Sequence, residues 1–377
     1  MLQCRLDAGD NGLHFVQDVA FGDIPLHMHH VDTEEDLIHA WEQMLRDELP
    51  DRRRLWEAIF APTQDGQTWR VLIKIHHSIA DGRSLGRLMD QFVEAAAALL
   101  RGDQPNRDAV IVPPATEHRL AVANTSEAMN AAYMAAGEQP QMTPWPIDHE
   151  ADVECRRDRV AFRSLDKNAS VRILATCHDH GVTLLSIFAA VAALTNARHA
   201  GGAVNTDSII PVDLRRFFEI PPPPDELHMG VTCLNVYLEG VRQTDDIWEV
   251  AKRFNADLNS RIVPSCMPAI DYTPEDMHAA TEGWTDVDGR YRHGWCLTNI
   301  GKLDWTGDYP PLSTDRVEMT AAMHFGGFPM VIPILTHKGI LRIGFTWAEP
   351  LMDRSTAHQW IDDIWTTFSA VAGECGT

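Results

Sequence analysis

The 377-residue chain reads as an α+β protein made of two α/β sandwiches sharing a cleft. Three observations carry this expectation. Strand and helix patterns are mixed without the steady β-α alternation of a doubly wound sheet, so separated layers are the better solution. Proline and polar residues dominate 103–118 and again 137–150 (GEQPQMTPWPIDHE), which read as linkers, the second placing a lobe boundary. No internal repeat of short fixed period is present. The division expected is 1–145 for a first lobe and 146–377 for a second.

LQCRLDAGDNGLHFVQDV predicts two short strands around a Gly/Asp/Asn turn. Asp32 and Glu35 have capping-box spacing ahead of a helix with Leu37, Trp41, Met44, Leu45 and Leu49 on one face. WRVLIKI and the following His76 predict a strand over 69–76. After Gly82 comes a helix with Leu85, Leu88, Met89, Phe92, Val93 and Leu99 on one side, and Gly102 as its stop. In the second lobe a strand is expected at 158–163, then a helix over 167–180. The apolar run TLLSIFAAVAALTNA at 183–197 reads as a buried helix, being shorter than the ~18–20 residues of a membrane span. SIIPVDLR (208–215) and VTCLNVYLEGV (231–241) read as strands on either side of a rigid PPPP loop at 221–224. PMVIPILTHKGILRIGFTW alternates around a Lys-Gly turn and predicts a hairpin. A last helix after Asp353 carries Ala357, Trp360, Ile361, Ile364, Trp365 and Phe368 on one stripe.

Composition narrows the function classes. Lys plus Arg is 32 and Asp plus Glu is 54, a net charge of −22, which argues against binding a phosphate backbone or an anionic membrane surface. Seven scattered cysteines without C-x-x-C argue against a disulfide framework or zinc ribbon and for a reduced, cytoplasmic chain. The N-terminus shows no secretory pattern. HMHHVD (27–32) and CHDH (177–180) offer metal-capable residues but lack paired spacing with a carboxylate, so no metal is expected. No phosphate-cradling glycine loop is present, so no nucleotide cofactor is indicated.

The chemistry concentrates in WRVLIKIHHSIADGRSLG at 69–86, where two signatures overlap. H-H-x-x-x-D-G runs from His76 to Gly82, and G-x-S-x-G from Gly82 to Gly86. By strand parity the two histidines point oppositely. His77 continues the face of Val71, Ile73 and Ile75, where low dielectric keeps an imidazole neutral and able to act as a base. His76 falls on the mixed face and reads as structural. Read as a nucleophile elbow, GRSLG makes Ser84 a candidate serine nucleophile. That pattern is loose, His77 to Asp81 intervene after the strand, and downstream partners such as Asp353 and His358 are otherwise unmarked.

HHSIADG matches in full the signature of the acyltransferase superfamily of chloramphenicol acetyltransferases, peptide-synthetase condensation domains and wax ester synthases, and the chain resembles that superfamily. DRRRLWEAIF (51–60), IIPVDLRRFF (209–218), LTNIGKLDW (297–305) and FTWAEPLMDR (345–354) resemble further segments of it, nearest to alcohol acetyltransferases and polyketide-associated acyltransferases. The resemblance implies two chloramphenicol-acetyltransferase-like lobes forming a V with a central channel. With Met1 almost inside the family's first segments, the resemblance also implies either a truncated start or a first lobe shortened at its N-terminus. It implies that His77 deprotonates the acceptor as it attacks an acyl thioester, while Asp81 turns away to pair with an arginine, for which Arg215 is the candidate. His76 and Gly82 complete the structural motif, and Ser78, Asn299 and Gly301 are substrate-side candidates. The implied activity is O-acyl transfer from an acyl-coenzyme A or acyl-carrier-protein thioester to an alcohol, by a monomer without a further cofactor. An amine acceptor with amide formation, a Ser84 hydrolase, or a non-catalytic thioester-binding relative are the alternatives. The acidity of the chain works against docking an acidic carrier protein, unless a basic patch such as Arg52 to Arg54 overrides it.

Overall fold

The computed structural model describes residues 2–373 apart from 10–11, 48, 50–53, 105–115, 122–124, 129–130, 132–139, 224–225, 263–293 and 325–326. Arg52, Arg53, Pro224, Cys266, Cys375, most of the first expected linker (105–115) and the start of the second (137–139) therefore lie outside the described residues.

The N-terminal region forms a hairpin, β1 (Cys4–Gly9) and β2 (Gly12–Gln17), beside a small sheet. That sheet has the order β3 (Leu26–Met28), β4 (Trp56–Pro62), β5 (Trp69–Ile75), with β3 parallel and β5 antiparallel to β4. Alternation along β4 sends Ile59 and Ala61 to one face, where they pack with Leu72 under Leu37, Ala40 and Met44 of α1 (Glu34–Arg46). Trp56, Ala58 and Phe60 take the other face, and Phe60 meets Phe92 of α2 (Gly82–Arg101) with ring centroids 5.8 Å apart. The capping box of α1 sits one residue later than the spacing of Asp32 and Glu35 suggested. Thr33 accepts from the Asp36 amide, and the Asp36 carboxylate accepts from Thr33. The hydroxyl of a threonine one residue nearer the helix wins the cap. Gly102, at φ 83°, ends α2 in the left-handed conformation its sequence position foretold.

The larger unit is a six-stranded sheet in the order β6-β13-β12-β9-β7-β8. Its strands are β6 (Arg157–Leu165), β7 (Val204–Asp213), β8 (Val231–Val241), β9 (Trp295–Lys302), β12 (Val331–His337) and β13 (Ile340–Glu349). β9 runs parallel to both β7 and β12, and the other pairs are antiparallel. One face carries α3 (Lys167–Asp179), α4 (Leu184–Ala200), α5 (Ile247–Arg261) and α6 (Arg354–Val371). Leu184 to Ala197 of α4 are buried throughout, so the apolar run is the central helix of this core. Among the described residues no single helix is long and apolar enough to cross a membrane. The expected strand at 208–215 begins earlier, at Val204, and stops at Asp213. Leu214–Phe217 then form a 3-10 turn that redirects Arg215.

The opposite sheet face turns toward the first unit. Residues 316–324 cross it, and Met323 and Phe328 are buried against Ile209, Cys296 and Val331. Gly344 of β13 makes room for this crossing, because a Cβ there would stand 2.5 Å from the Met319 carbonyl oxygen. Backbone cannot swing aside as a side chain can, so Gly344→Ala is expected to destabilise the protein by about 1–3 kcal/mol. The chemical-denaturation midpoint would read this. An unchanged midpoint would show that the crossing segment is free to shift.

Contacts away from the H-H-x-x-x-D-G segment help to join the two units. Trp41 of α1 lies against Phe162 of β6, with Glu42 between Arg159 and Arg354 at 3.0 Å from each. Arg316 pairs with Glu34 at 2.6 Å. The small ladder β10 (Asp308–Tyr309) with β11 (Leu312–Ser313) reaches α2, where the Tyr309 hydroxyl donates to Asp90 over 2.5 Å.

Candidate active site

The site begins where β5 ends. The strand stops at Ile75, and His76 to Ile79 form a turn closed by the Ile79 amide donating to the His76 carbonyl. The parity reading that placed His77 on an apolar strand face is therefore corrected. Both histidines are exposed, and alternation no longer governs them. The His76 backbone is tied to Leu55, whose carbonyl accepts its amide at 2.7 Å. Its Nδ1 lies 2.7 Å from the Ser78 hydroxyl, so Ser78, a substrate-side candidate, holds His76. Partial burial, with a smaller push from His77, keeps the His76 pKa below its ordinary value. Among the described residues the His77 ring makes no hydrogen bond.

Behind the turn, Ile79 and Ala80 are buried and Asp81 closes the loop. Asp81 caps α2 by accepting from the Ser84 amide at 2.9 Å. Its carboxylate also accepts from the Gly230 amide at 2.8 Å and takes a two-point bond from the Arg215 guanidinium, 2.9 and 3.0 Å. The carboxylate is thus saturated by groups 134 and 149 residues away, and it points into protein rather than toward His77's solvent side. Burial works against the Arg215 charge, but bonds to Asp81 and Asp213 outweigh it and hold the guanidinium pKa above its ordinary value. Asp213 is likewise disfavoured by burial, yet Arg215 and Arg83 hold its carboxyl below the usual range. The two pairs link the helix of the first unit to the 3-10 turn after β7 in the second.

Gly82 and Gly86, one turn apart, lie where α2 meets β9. A Cβ on Gly82 would stand 2.4 Å from Ile300 Cδ1, and one on Gly86 would stand 3.0 Å from Leu303. Ile300 reaches α2 because β9 bulges there. Ile334 pairs with Asn299 and Leu335 with Gly301, leaving Ile300 as the extra residue. The Asn299 side chain accepts from the Gly301 amide at 3.0 Å, and Gly301 takes φ 84°. Asn299 and Gly301 thus shape the bulge that carries Ile300 to the motif helix.

Ser84 is 3% exposed, and its hydroxyl donates to the His228 carbonyl while accepting from Arg215. Asp353 lies 3.3 Å from His149, and His358 packs on the Trp347 ring, so neither serves Ser84. The G-x-S-x-G pattern is accounted for by packing: two glycines against β9 and a serine inside the Asp81–Arg215 cluster. His228 and Gly230 complete that cluster and carry no linear motif. Cys177 is buried in the core and His180 stacks on Trp248, while His27 and His29 meet edge to face. Among the described residues no group of three His, Cys, Asp or Glu side chains could hold a metal ion.

Residues 25–143 match the wax ester synthase/diacylglycerol acyltransferase catalytic domain. Across the whole chain the architecture is similar to trichothecene 15-O-acetyltransferase from Fusarium sporotrichioides, with a TM-score of 0.74 at 13% identity over 99% of this chain and 83% of that one. It is similar to the first condensation domain of the CDA synthetase, TM-score 0.69, 13% identity, 99% and 84% coverage. Polyketide synthase associated protein 5 from Mycobacterium tuberculosis gives a TM-score of 0.64 at 18% identity, with 100% and 88% coverage. The chain has the two-lobed condensation-domain and acyltransferase fold. No curated protein matches it in sequence. The resemblance to the HHxxxDG acyltransferases, first legible in seven residues, extends through the whole fold, and with the family match it supports acyl transfer in general.

Proposed function

We propose that the protein moves an acyl group from a thioester to a hydroxyl, with His77 as general base. One arrangement carries this reading. The turn bearing His77 is pinned at both ends, by His76 to Leu55 and by Asp81 to Arg215 and Gly230, while the His77 ring spends no hydrogen bond on the described residues. A fixed backbone with an uncommitted imidazole suits a base that must meet an incoming hydroxyl. In the step proposed, an imidazole nitrogen takes the hydroxyl proton as the oxygen attacks the thioester carbonyl. The tetrahedral intermediate then expels the thiolate, which recovers that proton from the imidazolium. Ester and free thiol leave, and the balance needs only base, acceptor and thioester. Asp81 acts as a positioning residue, since its oxygens are occupied within the protein. An amine would follow the same course and yield an amide.

The serine-hydrolase alternative is disfavoured by the committed Ser84 hydroxyl. The test is free-thiol release from a series of acyl-coenzyme A donors and acyl-loaded carrier proteins, with and without mixed alcohols and amines. Release that depends on the acceptor is expected. Release indifferent to acceptor, together with labelling of Ser84 by a fluorophosphonate, would overturn the transferase reading. Thioester binding without turnover of any pair would leave a non-catalytic relative.

A further inference from the structure

Beside the Asp81–Arg215 cluster lies a cavity of about 420 Å³, within the size range of small-molecule sites of roughly 300–1,000 Å³. Its walls come from the start of α2, the loop at Pro221–Pro223 and the end of β9 with the residues after it. His77 is not among its lining residues.

Four of its lining side chains are cationic. Arg83 and Arg87, four residues apart on α2, line it with Arg215 and Lys302. Arg83 spends one nitrogen on Asp213 at 2.6 Å and Arg87 one on Asp90 at 3.0 Å, and both side chains are about half exposed. Lys302 is exposed and makes no ion pair among the described residues. Glu226, which also lines the cavity, is taken up by Arg119 at 2.8 Å. Asp304 is the other lining carboxylate.

Arg83 and Arg87 are like charges four residues apart on a helix whose N-cap is the Asp81 carboxylate, and each holds one carboxylate. A bound anion would relieve the repulsion between them. A second observation points the same way. His228 lines the cavity, is 6% exposed, and has an Nε2 with no hydrogen-bond partner among the described residues. Burial, reinforced by Arg215, holds that imidazole below its ordinary pKa. Trp305 and the prolines supply a flat apolar wall for a ring.

We infer that this cavity binds a phosphate ester, the phosphorylated end of a pantetheine thioester, a role that rests on the thioester reading of the function. Such a ligand comes either from coenzyme A, with a phosphorylated nucleoside, or from a carrier protein's phosphopantetheine arm. The aromatic and proline wall suits the nucleoside.

The experiment is calorimetric titration of the wild-type protein at low salt with adenosine 3′,5′-bisphosphate and, separately, with phosphopantetheine. The same titrations follow on Lys302→Glu, on Arg87→Glu/Lys302→Glu, and on Lys252→Glu/Arg253→Glu. The last pair changes net charge as much as the double reversal does, on α5 across the large sheet. Binding is expected to weaken about tenfold or more in the cavity double variant, partly in Lys302→Glu, and less than twofold in the α5 control. Lys302→Glu breaks no ion pair and keeps the test sound if the double variant misfolds. Tighter binding of the bisphosphate names coenzyme A as the source, and tighter binding of phosphopantetheine names the carrier arm. No binding of either compound to wild type, or equal weakening by the α5 control, would overturn the cavity's role. Acceptor-dependent turnover together with no such binding would sink the cavity alone. Binding without turnover by any donor would sink the transferase and leave the cavity standing.

Discussion

Arg215→Ala is expected to destabilise the protein by about 3–5 kcal/mol, among the largest effects open to a single substitution outside the sheet core. The reason is the state in which it leaves Asp81. That side chain is 1% exposed, so without the guanidinium it keeps a full charge in protein surroundings, with the Ser84 and Gly230 amides as its remaining donors. Arg215 also holds Asp213 at 2.9 Å and the Ser84 hydroxyl at 3.0 Å, so one truncation strips three partners. Arg215→Lys should recover part of the loss, because an ammonium offers no two-point fork. Asp81→Asn should also lower stability and reduce turnover by misplacing the loop. Combined with Arg215→Ala it should cost much less than the sum of the two, because each removes the other's uncompensated partner. Denaturation midpoints of the four proteins test this. Additive losses would mean that the pair is not the clasp between lobes described here.

Much of the fold was legible because its signals are local. The burial of α4 followed from an unbroken apolar run, and the Lys338-Gly339 hairpin from alternation around a turn dipeptide, with both residues in the left-handed region. Helix α5 is absent from the sequence expectations although Asp246 caps it, accepting from the amides of Trp248 and Glu249, and Val250, Ala251, Phe254 and Leu258 form its buried stripe. That signal was available and followed a strand too long to suggest a boundary. The end of β5 was not available. Leu55 and the Ile79 turn decide it, and alternation alone runs on through His77.

The candidate site divides the same way. HHSIADG is contiguous, and its spacing carries the resemblance. Gly230, His228 and the bulge at Ile300 join it only through folding, across 144 to 149 residues or a sheet register shift, and no linear pattern marks them. Ser84 shows the converse. Its sequence context advertises a nucleophile, while its hydroxyl is consumed by Arg215 and the His228 carbonyl. A motif becomes chemistry only when its atoms are left free to react.

His77 meets that condition. His77→Ala removes an exposed ring that makes no hydrogen bond among the described residues, so it should leave stability within about 0.5 kcal/mol of wild type. If the imidazole is the base, the same change should reduce acceptor-dependent turnover by about 10²–10⁴-fold. Ser84→Ala should do the reverse, costing about 1 kcal/mol of stability through its lost hydrogen bonds while keeping most of the turnover. These opposed signatures separate a chemical role from a structural one.

The most direct measurement is acceptor-dependent free-thiol release by wild type, His77→Ala and Ser84→Ala at equal concentrations, with unfolding midpoints taken on the same samples. The account predicts a fall of at least about a hundredfold for His77→Ala at an unchanged midpoint, with Ser84→Ala still active. Release by His77→Ala within about tenfold of wild type, or its loss in Ser84→Ala alone, would contradict His77 as the base.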